Sequence, residues 1–139
     1  MRRLATLLLL GCWLTAVLVA PGALALASDG VVGSGIAGSC TEAAFDAVLN
    51  TVQTTGGGIV TFNCGAAAHT IVFSAQKAIS ANVELRGGGL ITLSGGNSTG
   101  LFQVLSGQTL TLRSITITRG SGATGAIETF GRLDIRDSQ

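Results

Sequence analysis

Three short stretches of this 139-residue chain share one pattern of apolar, polar, apolar, arginine: Val83 to Arg86, Leu110 to Arg113 and Leu133 to Arg136. A guanidinium group is planar and always charged, and it can grip a carboxylate, sulfate or phosphate through two parallel N–H donors. Arg86, Arg113 and Arg136 are therefore candidate contacts for an anion, and an acidic polysaccharide presents such groups in a row. Two carboxylates also occupy matching positions, Glu84 and Asp134, with Thr111 in the copy between them. On strands stacked at ~4.8 Å they would lie ~10 Å apart, near the upper separation for an inverting glycosidase pair. Repeat equivalence explains that spacing without catalysis, so the expectation is two outward polar residues and no catalytic constellation. Glu84, Asp134 and Asp137 are also close enough in sequence to neutralise the arginines locally.

The remaining reactive side chains are few. His69 is the only imidazole, and with no Ser or Cys nucleophile signature nearby it reads as a surface turn residue. Cys40 and Cys64 lie beyond the apolar N-terminal run and are natural disulfide partners in an exported protein, two separately buried thiols being the alternative. Their long spacing, with a single His, does not supply a four-ligand zinc site, and neither a metal nor a cofactor is expected. The glycine runs 56–58 and 87–89 lack the following Lys-Ser/Thr of a phosphate loop and read as tight turns. Asn97-Ser98-Thr99 fits a glycosylation acceptor in a glycine-flanked exposed turn.

What must position these groups begins after an export signal. Arg2 and Arg3 precede an apolar run from Leu4 to Ala20, Pro21 and Gly22 break it, and small residues in A-x-A spacing place cleavage after Ala27. An uncleaved membrane anchor and lipidation at Cys12 are the rival readings of that segment. The mature chain is then residues 28–139, a single domain with no membrane span, secreted or held at the cell surface. Of the eight basic residues two leave with the signal, so six face seven acidic ones. That balance excludes a basic nucleic-acid surface, and with the only Trp lost and no Tyr there is little for bases or sugars to stack on.

One helix is signalled. Thr41 can cap it, Glu42 and Asp46 suit its positive end, and Phe45, Val48, Leu49 and Val52 form one apolar stripe. Short strands follow: Ile59–Cys64, Thr70–Phe73, Val83–Leu85, Leu90–Leu93, Leu101–Leu105, Leu110–Thr118 and Leu133–Ile135, separated by Gly, Ser and Asn. Within Leu110–Thr118 the apolar residues fall at 110 and 112, then at 115 and 117. Side chains on a straight strand alternate faces, so that set would be split between core and solvent. The chain must turn at Arg113-Ser114, leaving Thr111, Thr116 and Thr118 outward. Leu110 and Leu133 are 23 residues apart and Val83 and Leu110 are 27 apart. Corners within coils of that length require a β-solenoid, with the helix stripe covering the first coil's open end.

From Cys40 to Ser138 the chain resembles the N-terminal part of pectin-lyase-like right-handed parallel β-helix proteins. It is most similar to secreted bacterial ones with repeats like those of chlamydial polymorphic outer membrane proteins. Gly125-Ala126-Ile127 followed by Gly131 to Ser138 matches that family's G-G-A-I and strand motif, with Thr124 in place of the first glycine. The resemblance implies an all-β right-handed parallel β-helix with a short N-terminal capping helix. It implies further coils beyond Gln139, starting with an apolar residue in register with Ile117 and bringing the family's F-x-x-N element. The functional expectation is a non-catalytic secreted or surface scaffold, adhesive or polysaccharide-binding, partnered by polysaccharide or by another surface protein. The rivals are the N-terminal part of a polysaccharide lyase or glycoside hydrolase, and an autotransporter-like passenger. The lyases of this fold use an Arg base with acidic calcium ligands. No Asp cluster accompanies Arg86 or Arg113, so that chemistry is not carried over.

Overall fold

The computed structural model of the protein describes residues 27–139. Apart from Ala27, the expected export signal lies outside the described residues. After strand β1 (Gly30–Val32) comes helix α1 (Glu42–Thr54), and then eight further strands. They are β2 (Gly57–Phe62), β3 (His69–Val72), β4 (Lys77–Ile79), β5 (Asn82–Ser94), β6 (Phe102–Val104), β7 (Thr109–Thr118), β8 (Ile127–Thr129) and β9 (Arg132–Arg136). One sheet runs β1-β2-β5-β7-β9 with β3 beside the second half of β5, and the other runs β4-β6-β8. All these pairings are parallel. The chain winds as a right-handed parallel β-helix of about three turns.

The interior is a set of aliphatic ladders. Leu85, Leu112 and Ile135 are in register, as are Val83, Leu110 and Leu133, and beyond the corner Ile91 meets Ile115 and Leu93 meets Ile117. Val83, Leu85, Leu110, Leu112, Ile91 and Ile115 are buried, and each such side chain contributes about 1.5–3 kcal/mol by leaving water.

The change of phase inside Leu110–Thr118 is a corner, as the alternation requires. Ser114 sits there in the left-handed region at φ 49°, and Asp137 takes the equivalent place one coil later, also at φ 49°. One residue is enough to step from Arg113 to Ile115, whereas four separate Arg86 from Ile91. Those four, Gly87–Leu90, pass through left-handed glycines at φ 62° (Gly88) and 77° (Gly89). Leu90, a strand residue as expected, lies on this corner of β5 and is 41% exposed, and the inward pair is Ile91 and Leu93.

The helix forms as its caps direct. Thr41 Oγ1 accepts the Ala44 N–H at 3.2 Å, and Gly56, at φ 94°, ends the helix in the conformation favoured just past a C-terminus. Phe45, Leu49 and Val52 are buried, with Val48 packed at their margin. Gly57 and Gly58 are not turn residues as expected; they open β2. A Cβ on Gly57 would stand 2.3 Å from the Asn82 carbonyl oxygen, so only glycine lets these two rungs approach.

A polar cluster fastens the helix to the first coil. Lys77 Nζ on β4 donates to Glu42 Oε1 at 2.6 Å and to Asp46 Oδ2 at 2.8 Å. Glu42 also accepts from the Ser74 N–H and hydroxyl, both at 2.8 Å. Burial alone would raise the Glu42 carboxyl, but the hydrogen bonds from Lys77 and Ser74 outweigh it and hold its pKa at about 2. Burial likewise opposes charge on Lys77, and its bonds to Asp46 and Glu42 outweigh that and raise its pKa above the ordinary value.

A folded-state pKa below the unfolded one means that the stabilisation is complete above the ordinary value of 4.5 and disappears as pH falls toward about 2. Allowing for solvent screening, about 1–2 kcal/mol is expected to be lost across that window. Urea midpoints of the native chain and Glu42→Gln, measured between these pH values, should converge at the acid end. Parallel profiles would show that this cluster contributes nothing.

Candidate functional site

The corner that brings the aliphatic ladders inside also puts the arginines outside. Thr61, Arg86, Arg113 and Arg136 occupy one outward row on successive rungs of β2, β5, β7 and β9. All three arginines are exposed, and neighbouring rungs stand ~4.8 Å apart. A second outward row contains Ile59, Glu84, Thr111 and Asp134, and a third contains Asn82, Thr109 and Arg132. A shallow groove of about 220 Å³ follows these last two rows past Asn82, Glu84, Thr109 and Thr111.

Charge pairing within these rows differs from the sequence expectation. Arg86 is neutralised as expected, its Nε donating to Glu84 Oε1 at 2.6 Å and its Nη2 to Oε2 at 3.2 Å. Asp134, however, pairs with Arg132 at 3.1 Å and not with Arg136. Arg132 and Asp134 are both outward on one strand, two residues apart, the same relation that joins Glu84 to Arg86. Asp137, in the left-handed corner at φ 49°, forms no ion pair among the described residues. Among the described residues Arg113 and Arg136 thus have no carboxylate within ion-pair distance, and two like charges occupy adjacent rungs.

Glu84 and Asp134 do stand on one row, two rungs apart, as the repeat required. The Arg86 hydrogen bond pulls the Glu84 carboxyl below its ordinary value, with Arg86, Arg113 and Arg136 adding to the effect. A general acid for glycoside cleavage needs the opposite shift. Glu84 therefore does not suit the general acid of such a pair.

No family model, curated protein or solved structure matches this chain. Its chemistry has to be read from its own residues.

Cys40 and Cys64 form the disulfide, with their Cα atoms 5.6 Å apart, joining the residue before the helix cap to the corner after β2. His69 is not a free turn residue. It opens β3, half-buried, and its Nε2 lies 2.9 Å from the Cys40 carbonyl oxygen, so it braces the backbone at that disulfide. Asn97 is exposed in its turn at φ 61°. Among the described residues no three His, Cys, Asp or Glu side chains gather as metal ligands, and no helix is long and apolar enough to cross a membrane.

The Lys77 cluster was missed by the sequence reading. It had left a trace, since Lys77 is the only lysine of the chain while Glu42 and Asp46 stand four apart on one helix face.

Proposed function

We propose that this chain is the N-terminal part of a secreted or cell-surface β-helix scaffold, similar to pectin-lyase-like proteins with polymorphic outer membrane protein repeats. Its role is non-catalytic, and its outward arginine row holds an acidic polysaccharide. The observation that carries this reading is the in-register row of Arg86, Arg113 and Arg136, of which the last two are free of carboxylate partners among the described residues. Two adjacent uncompensated guanidiniums repel each other, and a polyanion laid along the rungs relieves that repulsion while offering each a bidentate contact. The Cys40–Cys64 disulfide supports an oxidising destination such as the cell exterior.

The test is binding of polygalacturonate at low salt, with neutral dextran as control. Arg113→Gln/Arg136→Gln should weaken binding about tenfold or more, with its urea midpoint unchanged because both side chains are exposed. Added salt should weaken the native interaction more than that of the variant. Equal binding of dextran, or a double variant that binds like the native chain, would overturn the proposal.

A further inference from the structure

The corner of the second coil, three residues longer than that of the third, leaves a recess on the outside of the solenoid. The space measures about 300 Å³ and is lined by Phe62, Cys64, Leu90 and Ile91, with Thr61 and Arg86 contributing the polar part. That volume is at the lower end for sites that bind small organic molecules. Leu90 is 41% exposed, and Phe62, which packs against the core through Phe45, is half-buried, so the recess presents apolar surface.

We propose that this recess binds a small aromatic carboxylate, with the ring against Phe62 and Leu90 and the carboxylate at Arg86. Arg86 uses Nε and Nη2 on Glu84, and its Nη1 has no partner among the described residues. It can therefore take a second anion without giving up the first. Glu84 is already matched, and the nearby Asp29 is occupied by the Ile59 N–H at 2.8 Å. Arg113 on the next rung adds positive charge with no carboxylate against it. The free Nη1 donor at the mouth therefore suits an anion, while the lining suits a flat apolar body. The site shares Arg86 with the arginine row but needs the recess beside it, whereas the polysaccharide reading rests on the two unpaired arginines, Arg113 and Arg136.

The probe is 3-phenylpropionate, titrated into the protein with NMR shifts followed at Thr61, Leu90 and Ile91. Saturable shifts confined to these residues are expected. Thr61→Phe fills the recess and Leu90→Asp places a negative charge on its exposed rim, and each should weaken binding about tenfold or more. Arg86→Gln, or replacement of the acid by 3-phenylpropionamide, should also weaken it about tenfold. Arg136→Gln should retain the aromatic acid while losing affinity for polygalacturonate, so failure of either reading is told apart from failure of the other. The proposal is overturned by shifts that do not saturate, or that fall instead at the exposed Phe130 and Ile135. It is equally overturned if Leu90→Asp, which alters only an exposed corner, binds like the native chain, or if the amide binds as tightly as the acid.

Discussion

Phe45→Ala is expected to lower the free energy of unfolding by about 3–5 kcal/mol, the cost of emptying a large aromatic site that cannot fully collapse. Phe45 is 0% exposed. Its ring centroid lies 5.0 Å from that of Phe73, 6.1 Å from Phe62 and 6.3 Å from Phe102, so one side chain of the helix meets aromatic residues from β2, from the end of β3 and from β6. Losing it removes apolar contact, three aromatic pairs and the main anchor of α1 over the first coil. A domain of this size has only about 5–15 kcal/mol to lose, so much of the population should unfold at ambient temperature. Urea unfolding followed by circular dichroism measures the effect. Ile36→Ala, at a side chain 66% exposed, is the control and should change little. A loss below about 1 kcal/mol for Phe45→Ala would mean that the helix is not seated on the coil as described.

Replacing Cys40 and Cys64 together by alanine should cost about 3 kcal/mol, since the bond closes a segment of 24 residues whose unfolded freedom it removes. Both residues are buried, so serine replacements should cost more by placing hydroxyl groups where water is excluded. The segment holds the whole of α1 and β2, and the Cys40 carbonyl is also held by His69. The loss should therefore appear first at the capped end. Reductant should lower the urea midpoint of the native chain and leave the double alanine variant unaffected. A native midpoint that ignores reductant would show that the cross-link adds no stability.

The architecture was legible because its signal is geometric. The parity change between Leu112 and Ile115 can be satisfied only by a corner, and the recurring arginine fixes where that corner falls in each copy. The helix was equally plain, with a capping threonine, acidic residues in its first turns and a single apolar stripe. The misreadings share one physical origin, which is that sequence spacing locates a residue on a rung but not its partner across the fold. Asp134 has arginines two positions away on both sides, and only side-chain direction decides for Arg132. His69 finds a carbonyl 29 residues earlier in the chain, and Lys77 reaches carboxylates 31 and 35 residues away. Gly57 and Gly58 looked like turn residues because nothing in the sequence shows that another backbone passes so near.

The register carries a consequence for assembly of the chain. Gly57 pairs with Asn82 and Phe102 with Ile127, so each rung meets chain that lies about one coil away in sequence. The entropy of closing a loop depends on its length, and here that length is nearly constant from rung to rung. Once the helix and first coil have nucleated, each later rung joins an existing template at a similar cost and gains a similar ladder in return. Folding should thus advance as a zipper from the capped end, and further coils of the same length would leave the slow step where it is.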